Sequence, residues 1–399
     1  MLDRYYAWPQ ITLMLATLLP SSVIIAGDID HTHQNNCKSY ARSAYIHTNT
    51  ENNPSEKAVA VGGYLGCDLA LTPMAEINLG LFTSINPHNI DDDQLHSDFF
   101  DSNGNSYLLL GQFALNLTFD SIDVQLGRQR FDSPHMDSDD LRMVPNLFEA
   151  YQFNYNFSED THFGFAYLTK MAGWENGGDQ SKFVDLGQAY GGQGDGAYAL
   201  WGLHNIDKLA LQLWAYKIDD IANIIYVDAV YADNLTDEVS YELAVQYDRG
   251  RDSGGSLIGQ INADTFGIHG SFAYRKYSIF AAYNKNNGSS GAVTSLGTGP
   301  FFTSMEDQTL DAITGGDAQA FVVGFEYQIA ETITAGVATG NFSAPNKSDY
   351  DVDEIDLYMT YRWNEAFDFE AIYASIDDHN GLNDTHQLRL VANYYFADF

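Results

Sequence analysis

Segments of about ten residues in which apolar and polar side chains alternate recur along this chain, and this pattern limits the fold more than any other feature. In 319–329 the odd positions are apolar or aromatic, whereas the even positions include Glu326 and Gln328. Segments 151–157 and 355–363 show the same alternation. A period of two residues places successive side chains on opposite faces of a β-strand, so these segments are predicted to be strands and not helices.

Eighteen candidate strands follow from this pattern, counted from Tyr40. They lie near 40–48, 57–71, 75–85, 105–119, 121–130, 148–157, 161–171, 196–205, 208–218, 223–232, 238–249, 263–275, 277–286, 318–329, 331–341, 352–363, 366–377 and 385–397. Tight turns such as Thr72-Pro73 alternate with long links such as 86–104 and 287–317. A soluble β-sandwich would show the same alternation within its strands, but it has no reason to sort its connections by length.

The sorted connections indicate a membrane barrel. Up-and-down barrels of bacterial outer membranes have short periplasmic turns on one rim and long extracellular loops on the other. Closure removes exposed sheet edges, as a bilayer requires, and a barrel of this size encloses an aqueous lumen. The sequence therefore predicts an all-β fold over 27–399: one transmembrane antiparallel up-and-down β-barrel of about 18 strands with inward-folded extracellular loops.

Both chain ends fit an exported barrel. A charged start, an apolar run over 11–19 and small residues up to Ala26 have the order of a secretory signal, so residues 1–26 are predicted to be a signal peptide. A buried N-terminal helix is the alternative. The chain ends in an aromatic strand, typical of outer-membrane barrels. Because Phe399 is out of phase with the preceding apolar series, we expect a bulge or fray near Ala397.

The charge balance excludes one class of partner. The chain has 54 Asp+Glu against 19 Lys+Arg, a formal net charge of −35. Such an excess repels phosphate backbones, so no nucleic-acid partner is expected. Acidic loops at the mouth of a channel would concentrate cations, which predicts a preference for cations or neutral solutes.

Two cysteines are predicted to pair. If the strand that ends at Thr48 turns back at Lys57, opposed residues have numbers that sum to about 105, and Cys37 and Cys67 sum to 104. Cross-strand neighbours can be bridged, and a disulfide persists in an exported chain. Two unpaired buried cysteines are the alternative.

Two stretches in the predicted links carry distinctive motifs. The first runs from Leu126-Gly-Arg-Gln-Arg130 through Asp137-Ser-Asp-Asp-Leu-Arg-Met143 to Pro145-Asn-Leu-Phe-Glu149, and the second is Gly299-Pro-Phe-Phe-Thr-Ser-Met-Glu-Asp-Gln-Thr-Leu310. Both resemble the OprD-type (Opr family) porins, which include the major outer-membrane porins of epsilonproteobacteria. The resemblance implies an eighteen-stranded channel whose third loop, helped by the seventh, narrows the lumen to an eyelet.

In such porins an acidic loop faces basic wall residues, and the field between them selects small charged solutes. The resemblance places Asp137, Asp139, Asp140 and Arg142 on the third loop, with Arg128 and Arg130 at its base. Independently, strand parity assigns four basic residues to the lumen: Lys170, Arg275, Arg362 and Arg389. Each basic residue has the alternative of a salt bridge that only solvates the inner wall. Arg128 continues the outward series of Leu126 unless a bulge intervenes.

Metal and enzyme chemistry receive little support. The carboxylates of the Asp137-Ser-Asp-Asp140 cluster would suit Ca²⁺, with a solvated acidic loop as the alternative, and the spacing is not that of an EF-hand. No other metal or cofactor is expected. The chain lacks the motifs of hydrolases, nucleotide-binding proteins and zinc enzymes, so we do not predict an enzyme.

The sequence thus predicts a porin of the bacterial outer membrane, a water-filled channel for passive diffusion of small hydrophilic solutes and ions, with amino acids or organic acids as candidates. A non-conducting barrel that acts as an adhesin or receptor is the alternative. Outer-membrane lipid is the expected surrounding partner, and a homotrimer is common for such porins. The basic wall residues favour carboxylate-bearing solutes, whereas the net charge favours cations. The sequence therefore leaves two predictions for the charge selectivity of the channel.

Overall fold

The computed structural model describes residues 35–88, 90, 94–381 and 384–396. The predicted signal peptide, 1–26, and the irregularity expected near Ala397 lie outside the described residues. No helix of the described chain is long and apolar enough to cross a membrane.

Eighteen strands of the described chain form one antiparallel barrel, as predicted. They are β1 (Asn36–Thr50), β2 (Glu56–Thr72), β3 (Ala75–Ile85), β4 (Tyr107–Phe119), β5 (Ile122–Gln129), β6 (Leu147–Ser158), β7 (Thr161–Ala172), β8 (Ala197–Ile206), β9 (Leu209–Ile218), β10 (Ala222–Thr236), β11 (Val239–Asp252), β12 (Asn262–Tyr274), β13 (Tyr277–Gly288), β14 (Gln319–Ala330), β15 (Ile333–Ser343), β16 (Asp351–Asn364), β17 (Phe367–Asp378) and β18 (Thr385–Tyr395). The described parts of the links contain a two-residue strand, one short helix and two 3₁₀ turns: Val184–Asp185, Leu186–Ala189, Ser97–Phe99 and Leu310–Ala312.

The first and last strands close the ring. β1 pairs with β18 from Tyr40 opposite Tyr395 to Thr50 opposite Thr385. Every other barrel strand pairs with the next one along the chain, and β7 pairs directly with β8. Closure leaves none of the eighteen described strands as an exposed sheet edge.

The connections are sorted by length, as predicted. Along one rim of the described barrel, eight turns of two residues each join β2 to β3, β4 to β5 and so on to β16 and β17. Asp120 and Asp207 adopt positive φ angles in two of these turns, a conformation that Asp tolerates better than most residues. The opposite rim carries the links, which range from 219–221 to 289–318.

Strand alternation separates an apolar outer face from a polar inner face. Outward side chains such as Phe266 and Leu213 are 53% and 50% exposed, whereas their inward neighbours Thr265 and Gln212 are buried. An exposed apolar band around a closed barrel suits the hydrocarbon layer of a membrane.

The apolar core lies inside the barrel, where the links pack against the wall. Phe131 and Met136 pack with Trp201 and Trp214, which stack on each other with ring centroids 4.8 Å apart. Further clusters contain Phe99, Phe100 and Met143, and Phe301, Met305 and Leu310. The links are therefore folded inward and fixed by side-chain packing.

Cys37 and Cys67 form a disulfide, with their Cα atoms 4.1 Å apart. They lie directly opposite each other in β1 and β2, which is the pairing that the hairpin arithmetic predicts. The odd positions of β2, such as exposed Leu65, face outward, so the disulfide lies on the outer face.

Candidate pore constriction

Two links meet inside the barrel and pair with each other. Loop 3 (130–146) follows β5 and loop 7 (289–318) follows β13. Met136 and Leu296 form a parallel β-bridge, in which the amide of Asp137 donates to the carbonyl of Leu296 at 3.0 Å and the amide of Leu296 donates to the carbonyl of His135 at 3.0 Å. The hydroxyl of Thr298 also donates to Asp137 at 2.6 Å. The two predicted inward loops thus form one unit.

Loop 3 is fixed to the wall on the β11 side. His135 Nε2 lies 2.6 Å from Asp248 Oδ2, and both side chains are fully buried. The imidazole also makes edge contacts with Tyr216 and Tyr226. Breaking a buried hydrogen bond is costly, because the group that remains is shielded from water and has no partner. The contact between His135 and Asp248 therefore holds the loop across the lumen.

On the opposite side, Asp140 lies between two arginines. Its Oδ1 is 2.7 Å from Arg42 Nη1 on β1, and its Oδ2 is 3.1 Å from Arg130 Nη2. Arg42 also donates to the carbonyl of Arg142. Burial acts to raise the pKa of Asp140, but the two guanidinium groups hold that pKa below its ordinary value.

A second ionic cluster joins three links to the wall. Arg389 on β18 donates to both carboxylate oxygens of Glu306 in loop 7, at 2.8 and 3.0 Å, and to the carbonyl of Leu141 at 2.8 Å. Glu370 on β17 lies 3.3 Å from the same guanidinium. Arg142 pairs with Asp98, in the link between β3 and β4, at 3.0 Å and approaches Glu306 at 3.8 Å. Four arginines therefore gather where loop 3 crosses the barrel: Arg42, Arg130, Arg142 and Arg389.

An acidic cluster lies next to the arginines. Glu175, in loop 4 (173–196), accepts hydrogen bonds from Asn146 and from the amide of Gly297, both at 2.6 Å. Burial, with the charge of Asp137, raises the pKa of Asp139 to about 8, and burial raises the pKa of Asp137 to about 6. The pKa of Glu175 is also raised by burial and by Asp139. Asp137 and Asp139 are therefore poised to change charge near neutral pH.

Loop 7 is also held by the acidic wall of β16. Glu354 accepts hydrogen bonds from the amides of Asp307 and Gln308, at 3.0 and 2.8 Å, and Asp356 accepts from the amide of Glu306 at 3.2 Å. Burial raises the pKa of Asp307 to about 6, with Glu306 adding to the shift.

Six predicted residues lie at this junction of links and wall, and four do not. The six are Arg130, Asp137, Asp139, Asp140, Arg142 and Arg389. The other four are Arg128, Lys170, Arg275 and Arg362.

The assignment of Lys170 to the lumen is wrong because of a bulge. Glu149 lies opposite Lys170 and Ala150 opposite Leu168, so Thr169 is an extra residue that reverses the parity beyond it. Met171 is fully buried on the inner side, and Lys170 therefore faces outward.

Arg128 also faces outward and is not part of the loop 3 base. It lies opposite Phe113, which is 53% exposed on the outer wall, so it continues the lipid-facing series. Its guanidinium pairs with Glu149 at 3.6 Å and stacks over the ring of Phe183, 4.3 Å from the centroid.

Arg275 and Arg362 lie near the rim of short turns. Arg275 is a turn residue outside the strands, with a φ of 53°, and it pairs with Glu238 of the neighbouring turn at 2.8 Å. Its assignment to the lumen wall is therefore corrected. Arg362 keeps the inward parity of Tyr358, but it is exposed beside a register shift, away from loop 3.

Sequence reasoning missed five residues of the constriction: Arg42, Asp98, Glu175, Glu306 and Glu370. Glu306 lies within the 299–310 motif and could have been selected from it. Arg42 carried no comparable signal because its neighbours Ala41 and Ser43 are small and give weak alternation.

Within the described residues, no group of three or more His, Cys, Asp or Glu side chains could hold a metal ion. Calcium at the Asp137-Ser-Asp-Asp140 cluster stays a prediction that this structure, which contains only protein, does not test.

A closed barrel with an apolar outer face, short turns on one rim and loops folded into its lumen defines an outer-membrane porin. The model of the outer membrane porin family OprD matches residues 94–340, more than half of the chain. This protein therefore belongs to the OprD family of porins and resides in the bacterial outer membrane. Its family and fold are those of a channel for passive diffusion.

Solved structures show the same fold at low sequence identity. OccAB3 of Acinetobacter baumannii is 14% identical, with a TM-score of 0.80 over 92% of this chain and 100% of that chain. OccK9 (OpdG) of Pseudomonas aeruginosa is 16% identical, with a TM-score of 0.81 over 91% and 98%. OpdK of Pseudomonas aeruginosa, solved with vanillate, is 16% identical, with a TM-score of 0.78 over 92% and 99%. No curated protein matches the sequence significantly.

Proposed function

We propose that this porin conducts small hydrophilic solutes and ions and that carboxylate-bearing solutes, such as amino acids and organic acids, cross its constriction preferentially. One observation carries the proposal: four arginines from the wall and loop 3 gather within the narrowed section, each beside a carboxylate of the protein.

The arginines supply exchangeable sites for a carboxylate. A guanidinium can bind a carboxylate through two parallel hydrogen bonds, in bidentate geometry, as Arg389 binds Glu306 here. Arg130 is the accessible site, because its side chain is 37% exposed and that of its partner Asp140 is 26% exposed. A solute carboxylate that enters would replace Asp140 at Arg130 and would be displaced by the same side chain afterwards. The side chains of Arg42, Arg142 and Arg389 are at most 7% exposed and act on the solute through their field. Internal carboxylates therefore keep solute binding weak enough for release.

The neighbouring acidic cluster favours a solute that also carries an amine. Asp137 lies on loop 3 together with Arg130 and Arg142, so an amino acid could place its carboxylate against an arginine and its ammonium group against Asp137. Asp139, whose pKa is raised to about 8, adds its negative charge only in alkaline solution. For small inorganic ions, the excess of carboxylates in the chain favours cations.

Liposome swelling tests this proposal. Wild-type proteoliposomes should admit a small amino acid and a small monocarboxylate faster than a neutral sugar alcohol of the same size. Arg130→Gln should remove most of this advantage and leave the sugar alcohol rate unchanged or raised, because Arg130 is the exposed arginine of the four. Equal rates for charged and neutral solutes in the wild type would refute carboxylate preference, and a folded barrel that admits none would favour the adhesin or receptor alternative.

A further inference from the structure

Basic side chains are scarce in this protein, yet several of them lie on the outer face of the barrel next to the long links. The chain has 19 Lys+Arg against 54 Asp+Glu. Lys217, Arg249, Arg251 and Lys285 occupy outward positions at the link ends of β9, β11 and β13, and their inward neighbours, such as Ile218 and Asp248, are buried. We call these four residues the rim patch.

The strand register brings the rim patch together. Lys217 lies opposite Asn223, which lies opposite Arg251, so their Cα positions are two strand spacings apart, about 10 Å. Arg249 lies opposite Asp264 on β12, and Lys285 of β13 lies opposite Phe266 of the same strand. The four side chains form one row along the barrel rim.

Within the row itself, four basic side chains face one carboxylate, that of Asp264. Asp264 pairs with Arg251 at 2.6 Å and lies 3.9 Å from Arg249, which is half exposed. The ammonium group of Lys285 donates to the backbone carbonyl of Asp317. The adjoining links carry the carboxylates of Asp220 and Asp252, which accept hydrogen bonds from the amide of Gly255 and the hydroxyl of Ser256 and so are held toward the links.

Directly below the row, the outer wall is apolar and exposed. Ile225, Val245 and Phe266 are 46%, 55% and 53% exposed. Long links mark the extracellular rim, so the rim patch lies where the hydrocarbon of the outer leaflet meets its headgroups. Lys and Arg side chains at such a boundary extend toward the headgroup layer while their stems cover apolar surface.

Outward basic side chains at this rim lie mainly on β5 to β13, where Arg128 and Lys170 precede the rim patch. At the same height on β16 and β17, the outward positions carry acidic residues, including Asp351, Asp353 and Asp377. Lys347 pairs with Asp351, and His379 pairs with Asp353. The rim therefore presents a basic sector and an acidic sector instead of a uniform belt.

We propose that the rim patch binds the phosphorylated headgroup of an outer-leaflet lipid, whose acyl chains lie on the apolar wall below it. Guanidinium and ammonium groups bind phosphate by charge-assisted hydrogen bonds, which are shorter and stronger than neutral ones. A single row at one depth matches a layer of headgroups better than it matches a second protein surface, which would contact a broader area.

Native mass spectrometry of the purified full chain tests the proposal, with a phosphorylated lipopolysaccharide core lipid and its dephosphorylated form as probes. The test variant carries Lys217→Gln, Arg249→Gln, Arg251→Gln and Lys285→Gln. The control carries Lys38→Gln, Lys208→Gln, Arg275→Gln and Lys276→Gln, which remove the same charge near the rim of short turns. Conductance and heat-modified gel mobility establish that each variant is folded.

The wild type and the control should retain the phosphorylated lipid, and the test variant should bind it on the order of tenfold more weakly or worse. The dephosphorylated lipid should bind all three proteins equally weakly. Unchanged retention by the test variant, or equal binding of both lipids to the wild type, would overturn the proposal. So would a test variant that changes only the oligomeric state, because the row would then contact the acidic sector of a second copy.

Discussion

At the scale of single residues, Asp139 and Asp140 are adjacent in sequence but have opposite electrostatic surroundings. Arg42 and Arg130 stabilise the charged form of Asp140, whereas burial and Asp137 disfavour the charged form of Asp139. Asp139 Oδ1 also has no hydrogen-bond partner within the described residues. The charge of Asp140 is therefore fixed, whereas that of Asp139 responds to pH.

We expect ion selectivity to depend on pH. The pKa of Asp139 is raised to about 8 and that of Asp137 to about 6, so both carboxylates lose negative charge as the pH falls from 9 to 5. Cation preference, measured as the reversal potential in a KCl gradient, should fall over this range. Asp139→Asn should flatten the part of the curve above pH 7, and a wild-type reversal potential that is constant from pH 9 to 5 would contradict the assignment.

Neutralising Asp140 should move selectivity toward anions. Asp140→Asn removes a charge between Arg42 and Arg130 and leaves both guanidinium groups without that partner. The reversal potential in a KCl gradient should shift by several millivolts in the anion direction. Asp123→Asn is the matched control, because Asp123 lies on the inner wall near the short turns and accepts a hydrogen bond from Asn156. Equal shifts in the two variants would place Asp140 outside the constriction.

At the scale of elements, loop 3 is fixed at both sides of the lumen. His135 holds it to β11 through Asp248, and Asp140 holds it to β1 through Arg42. The contact between Phe131 and the stacked Trp201 and Trp214 adds apolar packing. The position of loop 3 thus depends on a few contacts between residues that are far apart in the sequence.

Removal of the β11 contact should loosen loop 3 without unfolding the barrel. His135→Ala leaves the buried Asp248 carboxylate without this partner, at a cost of roughly 1–3 kcal/mol to the docked loop. Single-channel recordings should show a larger and noisier conductance, and loop 3 should become sensitive to protease. His162→Ala, which removes a hydrogen bond to Asn156 near the short turns, should change neither. A quiet, unaltered conductance in His135→Ala would show that this contact does not position the loop.

The positions of the strands could be predicted because the alternation of side chains is visible within each short segment. The face on which a side chain lies could be predicted only up to the next β-bulge, because a bulge reverses the alternation. The strand predicted at 318–329 is observed at Gln319–Ala330. One extra residue, Thr169, reverses Lys170, and nothing in the alternation marks it. Contacts such as that between His135 and Asp248 join residues far apart in the sequence, so no local pattern could reveal them.

At the scale of the whole molecule, a closed ring of strands supports an inward-folded set of loops that are packed against its inner wall. The strand number followed from counting the segments of alternating side chains, and the ring closes between β1 and β18 as an even number of antiparallel strands requires. The disulfide joins β1 to β2 on the outer face of the barrel, whereas the constriction lies inside it.

The disulfide should therefore affect stability and not conduction. Cys37→Ser with Cys67→Ser removes a cross-link between residues 30 apart, which should lower the unfolding free energy by about 3–4 kcal/mol through the entropy of the unfolded chain. Urea titration of the heat-modified gel shift measures this change. Conductance should stay at the wild-type value, and a large change in conductance would place the cross-link in a role that reaches the lumen.

The most direct test of this account is the single-channel current of the purified, refolded protein in a planar bilayer with a KCl gradient. We expect discrete current steps from an open but constricted lumen and a reversal potential that reports cation preference at pH 7. A correctly folded barrel that gives no current steps would contradict the channel function, and a strong anion preference would contradict the proposed charge balance of the constriction.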